Sequence, residues 1–327
     1  MKFQFCVFFV LCAIFLAVLS VFSTAKKGEF MKKLSPPLPF CGHKGIWNSE
    51  LSTLAQSLSP GDLVIDLFGG SGVCAQIFKT ANPALNVVWN DFDDYALRLL
   101  HAQETEELRK LLVSKLGVNA KSKLSHYKRL TEDESNFVFE TCTHWQQKYG
   151  YLDWQTLSRY FILNSMTANR FMKFTNIQYN KLRKTSIDTD KCAHWLDGVE
   201  RACEKFEGGS TVYRTAFRSE ELATYPADRT RLLIVDPPYL GTACDDYTER
   251  ENLLLLRQLI AVLKHEPHFV FFGDESIAFW YELALGDRFK FYSAKSASSN
   301  YGKRVRKEIM YSTLPFENAE TFVPTDI

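Results

Sequence analysis

The segment most able to carry chemistry is an apolar run that ends on an acid, two prolines and a tyrosine. Residues 232–235 (Leu-Leu-Ile-Val) predict a buried parallel strand, and Asp236, Pro237, Pro238 and Tyr239 follow it directly. Because proline cannot donate to a strand ladder, the strand ends here and holds Asp236 at its carboxyl end. Ligands of open α/β sheets bind at that edge. Taken alone, these four residues are explained equally well by a strand end with a solvated acid.

A glycine-rich turn after an earlier strand is the second candidate site. The sequence predicts a strand at 63–67, a turn at 68–72 (Phe-Gly-Gly-Ser-Gly) and a helix over 73–79. Gly70 and Gly72 let a ligand approach the backbone closely, because no side chain occupies the space. No Lys-Ser/Thr pair follows, which disfavours a phosphate-binding P-loop. A nucleoside with little or no phosphate fits better, and S-adenosylmethionine meets that description.

An acid after the next strand completes a nucleotide-binding pattern. A short strand at 87–89 ends on Asn90 and Asp91 before another helical stretch. At this distance from a glycine turn, an acid typically accepts hydrogen bonds from ribose hydroxyls. The order strand, glycine turn, helix, strand and acid is that of a βαβ unit that binds a nucleotide.

The distribution of strand signals divides the chain into a sheet-forming part and an insertion. Strand patterns occur in residues 31–101 and 207–327, whereas residues 102–206 are charged and helical with scarcely a strand signal. We therefore predict an α/β domain formed by the two outer segments, with a mostly parallel sheet and a terminal antiparallel hairpin. The middle segment is predicted to be an inserted helical subdomain.

The composition restricts the partners and the compartment. The chain has 327 residues, with 39 basic and 38 acidic side chains and a net charge of +1, so a polyanion must be met by local basic patches. The eight cysteines include no CxxC pair and no Cys/His spacing suited to zinc. We interpret them as reduced thiols of a cytoplasmic protein and predict no metal.

Residues 1–30 form a hydrophobic leader that differs from the rest of the chain. Its segment 3–25 carries no charge and is long enough to span a bilayer as a helix. The segment is a membrane anchor, an export signal, or the result of a misassigned start, with translation beginning at Met31; we favour the last. If the segment spans a membrane, the lysines that follow it predict that the remaining chain stays in the cytoplasm.

The motifs together resemble those of the Dam-type N6-adenine DNA methyltransferases of the alpha group, over about residues 38–314. The matching segments, in the order of that family, are PFCGHKG, DLFGGSG, NDFDDY, YFILNSMTANRF, FRSEEL, DPPY and NYGKRVRKEIMYST. The resemblance implies a Rossmann-like methyltransferase fold, S-adenosylmethionine as the cofactor and double-stranded DNA as the substrate. We expect the protein to be a monomer. Residues 171–184 depart from the pattern of enzymes that read a GATC site, which leaves the target sequence open.

The resemblance also implies which residues bind the cofactor. Phe40, Gly42 and Lys44 match the motif at the methionine end, where Lys44 pairs with the cofactor carboxylate or is simply solvated. Asp66 either supports the glycine turn or contacts the ligand. The full predicted cofactor set is Phe40, Gly42, Lys44, Asp66, Phe68, Gly69, Gly70, Gly72, Asn90, Asp91 and Asp236.

The four residues at 236–239 match the family's catalytic motif. The lone pair of adenine N6 is conjugated into the ring, so the nitrogen is a poor nucleophile until its hydrogens are accepted elsewhere. Asp236 and the carbonyl of Pro237 can each accept one hydrogen, while Pro238 stiffens the turn. Tyr239 would stack on a base flipped out of the duplex.

Two basic runs are predicted to contact DNA phosphates. They comprise Arg170, Lys173, Lys181, Arg183 and Lys184 in the insertion and Lys303, Arg304 and Arg306 in the terminal hairpin. Charge runs are commonly just solvated faces, but these two bracket the proposed base pocket. An RNA adenine or guanine amino-methyltransferase and a catalytically silent DNA-binding module stay open as alternatives.

Overall fold

The computed structural model describes residues 34–40, 44–117, 128–161, 176–177, 186–202, 228–237, 253–275, 278–298 and 305–324. The chain divides into two compact units, residues 1–33 and 34–327, and all described residues belong to the second unit. The predicted leader therefore lies outside the described residues. None of the helices in the described ranges has the length and apolar character that crossing a bilayer requires.

Strands and helices alternate along most of the described chain. The strands are β1 (Leu63–Asp66), β2 (Asn86–Asn90), β3 (Lys128–Arg129), β4 (Asn176–Ile177), β5 (Glu200–Ala202), β6 (Arg231–Val235), β7 (Phe269–Asp274), β8 (Phe291–Ser298), β9 (Val305–Ser312) and β10 (Glu320–Thr321). The α-helices are α1 (Asn48–Ser57), α2 (Val73–Ala81), α3 (Tyr95–Leu100), α4 (Ala102–Lys115), α5 (Glu132–Tyr149), α6 (Trp154–Phe161), α7 (Thr189–Ala193), α8 (Leu253–Leu263) and α9 (Ala278–Leu285). A 3₁₀ turn at Gly45–Trp47 precedes α1.

One large mixed sheet organises these elements. Its strand order is β10-β8-β9-β7-β6-β1-β2-β5 among the described residues. The strands from β7 to β5 in that order run parallel to one another, and β9, β8 and β10 extend the sheet by antiparallel pairing. The predicted Rossmann-like methyltransferase fold, with a mostly parallel sheet and a terminal antiparallel hairpin, is confirmed.

The central strands are buried on both faces, which explains their continuous apolar sequences. In β6, Leu232 and Ile234 pack into one hydrophobic cluster, while Leu233 and Val235 pack into a second. Successive side chains of a strand point to opposite faces, so the two clusters lie on the two sides of the sheet. Full burial of each such side chain contributes roughly 1.5–3 kcal/mol. This packing makes the sheet a rigid support for the residues at its edge.

A separate hydrophobic cluster holds the helices that follow α3. Leu108 and Leu112 of α4 pack with Val138 of α5 and Leu157 of α6. A capping box, in which Thr131 and Glu134 satisfy each other's backbone N–H groups, fixes the start of α5. These helices belong to the predicted insertion and form a core of their own.

The end of the predicted insertion, residues 186–202, packs with the main sheet. Ile187 and Trp195 are buried in the cluster that includes Val64 of β1. Strand β5 adds to the sheet beside β2, with Val88 opposite Glu200 and Asn90 opposite Ala202. The domain boundaries at 101/102 and 206/207 stay a prediction, and this segment provides a side wall for the glycine turn.

Candidate functional site

Three aspartates lie at one edge of the sheet because three parallel strands end there. Asp66 is the last residue of β1, and it is opposite Trp89 of β2 and Ile234 of β6. Asp91 therefore lies two residues beyond that level after β2, and Asp236 lies two residues beyond it after β6. This is the edge at which open α/β sheets bind ligands.

Lys44 ties Asp236 to the segment before α1. The Nζ atom of Lys44 is 2.7 Å from Oδ2 of Asp236, and the lysine is only 3% exposed. A second carboxylate, Glu308, lies with Oε1 at 3.0 Å from the same Nζ atom. The ring of Phe272 lies 5.4 Å from the ammonium group. Lys44 is therefore a buried cation shared between two acids.

Asp66 is the unsatisfied member of the group. It is 1% exposed, and its Oδ2 atom has no hydrogen-bond partner among the described residues. Burial, followed by the charge of Asp236, raises the pKa of Asp66 to about 7, although the Ala75 backbone N–H and Lys44 act in the opposite direction. Asp66 therefore holds a proton more readily than an ordinary aspartate does.

Glu308 reaches the site from the terminal hairpin. Strand β9 runs antiparallel to β7, and Glu308 is opposite Asp274, the last residue of β7. The early half of β9 thus lies at the same edge as the ends of the parallel strands. The indole Nε1 of Trp47 donates to Oε2 of Glu308 at 3.0 Å, so both carboxylate oxygens of Glu308 have a donor.

The glycine turn is closely packed on two sides. A Cβ atom added to Gly69 would lie 2.0 Å from Cδ1 of Trp89, a distance that real side chains do not reach. At Gly70, where φ is +46°, an added Cβ would lie 2.7 Å from the Phe40 ring. Phe68 packs at the margin of the cluster that contains Ile65. The structure thus brings the predicted cofactor residues Phe40 and Gly70 together.

Residues 186–202 cover the far side of the turn. At Gly72, where φ is +71°, an added Cβ would lie 2.8 Å from Leu196. The indole Nε1 of Trp195 donates to the Ser71 carbonyl at 2.8 Å. Asn90 fastens the neighbouring strand end, because its Nδ2 donates to the Leu67 carbonyl at 3.2 Å. The turn is held in one shape from several directions.

Asp91 is buried and saturated with donors. Its Oδ1 accepts from the Tyr95 backbone N–H at 2.6 Å, and its Oδ2 accepts from the Ala96 N–H at 3.0 Å. Arg201 on β5 donates to Oδ2 through Nε at 2.9 Å and Nη2 at 2.7 Å. Burial raises the pKa of Asp91 above its ordinary value, whereas the Ala96 N–H and Arg201 lower it. Asp91 therefore caps α3 and anchors β5, and the predicted contact with a ribose stays a prediction.

The remaining predicted site residues are outside the described ranges. These are Gly42, Pro238, Tyr239 and the basic residues Arg170, Lys173, Lys181, Arg183, Lys184, Lys303 and Arg304. The backbone of Arg306 lies in β9 opposite Ala297, and its side chain is not described. Within the described ranges, no three His, Cys, Asp or Glu side chains are grouped as a metal ion would require.

Sequence reasoning missed Glu308, Trp47 and Arg201. A signal for Glu308 exists, because it alternates with Met310 and Ser312, both of which are fully buried in β9. A charge in register with buried positions indicates a specific partner. Arg201 gave no such signal, since it lies in a segment that the sequence assigns to a helical insertion.

One known protein supports the class of this chain. A protein of Haemophilus influenzae strain Rd named "Putative methyltransferase" is 25% identical over 249 residues, which cover 74% of this chain and 77% of that protein. No family model matches the chain. The relative and the Rossmann-like fold together support a methyltransferase as the class of this protein.

Proposed function

We propose that the protein transfers a methyl group from S-adenosylmethionine to the N6 amino group of adenine in double-stranded DNA. The observation that carries this proposal is the position of Asp236. It lies just beyond the carboxyl end of β6, near Asp66, and its Oδ2 atom is 2.7 Å from Nζ of Lys44. The Haemophilus influenzae relative supports methyl transfer in general. The order of the sequence motifs supports adenine N6 as the acceptor.

Asp236 and Pro237 have the roles of hydrogen-bond acceptors. A carboxylate oxygen of Asp236 accepts one N6 hydrogen, and the Pro237 carbonyl accepts the other. Both acceptors draw the nitrogen towards a tetrahedral geometry, which frees its lone pair for attack. In this proposal both acceptors are fixed before the substrate arrives, so the reaction requires little reorganisation. A single preorganised interaction of this kind is worth about 10²–10³-fold in rate.

The charges of the edge suit a cationic cofactor. Asp66 is a buried acid that has an oxygen without a partner in the described chain, while Lys44, the nearby cation, is already paired with Asp236 and Glu308. Such an acid favours the ammonium and sulfonium of S-adenosylmethionine. Phe40, the glycine turn and Asp66 are the residues that would hold it. When bound, this cofactor supplies an electrophilic methyl group.

Methylation of adenine N6 in duplex DNA requires the base to leave the stack. Flipping costs a few kcal/mol. Tyr239, in the proposed role, stacks on the extruded base, and one base–aromatic contact is worth ~1–3 kcal/mol. The two basic runs supply the phosphate contacts, so DNA affinity is expected to fall steeply as salt rises.

The proposal is tested by a tritiated-methyl transfer assay on unmethylated duplex DNA with the full chain. We expect N6-methyladenine in the digested product. Asp236→Ala is expected to lower the rate ~10²–10³-fold, because it removes the acceptor, while S-adenosylhomocysteine binds within ~3-fold of the wild-type affinity.

Asp62→Asn is the matched control for Asp236→Ala. Asp62 precedes β1 at the opposite end of the parallel strands, is more deeply buried than Asp236, and accepts from the Ser59 and Thr230 backbone N–H groups. We expect this variant to keep its turnover. Methyl transfer by Asp236→Ala at the wild-type rate would overturn the catalytic role. A preference for structured RNA over DNA would favour the RNA alternative.

A further inference from the structure

Glu308 is a charged residue at a largely buried position of strand β9, where an uncompensated charge would destabilise the fold. It shares one face of β9 with Met310 and Ser312, which are fully buried. Its own side chain is 12% exposed. A carboxylate in such a place loses most of its hydration, so it persists only with donors that compensate for the loss. Two such donors lie in one short segment before α1.

The two donors are Lys44 and Trp47, three residues apart around the 3₁₀ turn. Trp47 is fully buried, and its Nε1 donates to Oε2 of Glu308 at 3.0 Å. Lys44 contacts Oε1 at 3.0 Å. The indole is rigid and fixed by packing, so it sets the plane of the Glu308 carboxylate. The carboxylate in turn offers its other oxygen to the flexible lysine.

Lys44 links the fixed Glu308 carboxylate to Asp236. A lysine side chain has about 2 kcal/mol of rotamer entropy and gives no preferred direction to an acid that it meets alone. Two anchors on different strands, Asp236 after β6 and Glu308 in β9, place its ammonium group between them at 2.7 and 3.0 Å. The ammonium charge is therefore divided between two carboxylates.

We propose that Glu308 is a positioning residue for methyl transfer, which acts through Lys44 on Asp236 and is oriented by Trp47. The proposal rests on the acceptor role proposed for Asp236. With Glu308 present, Lys44 holds Asp236 in place without neutralising it. Without the Glu308 charge, a larger share of the Lys44 ammonium charge acts on Asp236, and a carboxylate that bears more of an ammonium charge is a weaker hydrogen-bond acceptor.

The chain offers a matched pair that lacks the link to Asp236. Glu50 is as buried as Lys44 and lies 2.6 Å from Nζ of Lys295. This lysine lies 4.8 Å from the ring of the same Trp47. Glu50→Gln therefore removes a buried, lysine-paired carboxylate from the same neighbourhood. We expect it to leave kcat within ~2-fold of the wild type, because its partner does not contact Asp236 in the described structure.

The test is a double-mutant cycle on kcat with the full chain, using Glu308→Gln, Lys44→Met and the combined variant. Glu308→Gln keeps an oxygen for the Trp47 donor and removes the charge. We expect it to lower kcat ~10-fold, with the affinity for S-adenosylhomocysteine, measured by calorimetry, within ~2-fold. In the Lys44→Met background, Glu308→Gln should have no further effect, because it acts through Lys44.

Trp47→Phe is a second test of whether the orientation of Glu308 affects methyl transfer. It removes the Nε1 donor and retains most of the ring, so a ~3-fold loss of kcat is expected from a less firmly oriented Glu308. Thermal unfolding of every variant shows whether it is folded at the assay temperature. Glu50→Gln is assayed in parallel.

Three results would overturn the proposal. Glu308→Gln with the same kcat as Glu50→Gln would make Glu308 merely structural. Independent, multiplying effects of Glu308→Gln and Lys44→Met would show that Glu308 does not act through the lysine. A large loss of S-adenosylhomocysteine affinity in Lys44→Met would assign the lysine to the cofactor. If the wild type methylates RNA and not DNA, the proposed function fails, and the same cycle measured on RNA still decides the role of Glu308.

Discussion

Asp66 ends β1 and Asp91 directly follows the neighbouring strand β2, and both are buried, but their surroundings differ. Asp91 accepts two backbone N–H bonds and a two-pronged contact from Arg201. Asp66 has an oxygen with no partner in the described chain and lies beside another acid, Asp236. Donors make the first carboxylate a structural anion. Burial, followed by the charge of Asp236, raises the pKa of the second, which lies next to the proposed chemistry.

The difference shows how one edge combines a rigid frame with a reactive group. The frame requires charges that stay compensated, because removing one partner of a buried set costs several kcal/mol. A site that must attract a cationic ligand benefits from acceptors that the protein leaves unsatisfied. The glycine turn lies between the two aspartates along the chain, and its Gly69 packs against Trp89 and Asn90, next to Asp91.

The largest expected effect is the loss of the saturated carboxylate. Asp91→Ala leaves the Tyr95 and Ala96 N–H groups and Arg201 without their acceptor. We expect the free energy of unfolding to fall by about 3 kcal/mol, from a lost helix cap and unsatisfied buried donors. Urea denaturation measures it. As a control, Asp197→Ala removes an exposed partner of His194 and should change stability by less than about 0.5 kcal/mol. Equal losses of stability in Asp91→Ala and Asp197→Ala would show that Asp91 is not a structural anion.

The second prediction concerns the pH dependence that Asp66 causes. Its pKa is about 7 in the folded protein and 3.8 as a model group, so the folded state binds the extra proton between these values. Stability is therefore greatest at low pH within this window and falls as pH rises, by up to about 1.4 kcal/mol per unit and about 2 kcal/mol between pH 5 and 7. Asp66→Asn should remove this slope and be more stable than the wild type at pH 8.

Urea denaturation at pH 5, 6, 7 and 8 measures the slope. Asp62→Asn serves as the control, since it changes a fully hydrogen-bonded carboxylate at the other end of the same strand. It should lower stability and retain the wild-type slope. An Asp66→Asn protein with an unchanged slope would contradict the assignment of the titration to Asp66.

Local sequence signals were sufficient to predict the strand and the glycine turn that lie at the candidate site. The apolar run 232–235 and the prolines after it predicted a strand, and the structure has it at Arg231–Val235. The glycine turn and the helix after it were predicted over 68–79, and the helix spans Val73–Ala81. Burial on both faces and the loss of donors at proline are properties of a few adjacent residues, so they can be read without knowledge of the fold.

The contacts between distant segments could not be read in this way. Glu308 meets Lys44 because β9 is antiparallel to β7 in one particular register, and a shift of one residue would turn it to the other face. Arg201 meets Asp91 because a short strand from the predicted insertion joins the main sheet. Register and strand order depend on the packing of the whole domain, so both partners were missed.

A third prediction tests the turn that separates the two carboxylates. Gly70→Ala places a Cβ on a backbone with φ of +46° and against the Phe40 ring at 2.7 Å. We expect a loss of about 1–2 kcal/mol in the free energy of unfolding, from left-handed strain and from displacement of the ring. Phe40→Leu in the Gly70→Ala background should recover part of it, since a smaller side chain relieves the clash. A loss below about 0.3 kcal/mol would show that the turn is not tightly constrained.

The smallest expected loss of stability is that of Arg201→Ala. This variant removes a donor to Asp91 and leaves the carboxylate in place. The Arg201 side chain is 45% exposed, so water can replace it, and Asp91 keeps both backbone donors. We expect a loss of about 1 kcal/mol, well below that of Asp91→Ala, because a half-exposed ion pair contributes little. Urea denaturation of Asp91→Ala, Arg201→Ala and the variant that carries both substitutions gives the coupling free energy between the two side chains. If Arg201→Ala costs as much as Asp91→Ala, the guanidinium and not the backbone of α3 compensates the buried charge, and the frame depends on the edge strand β5.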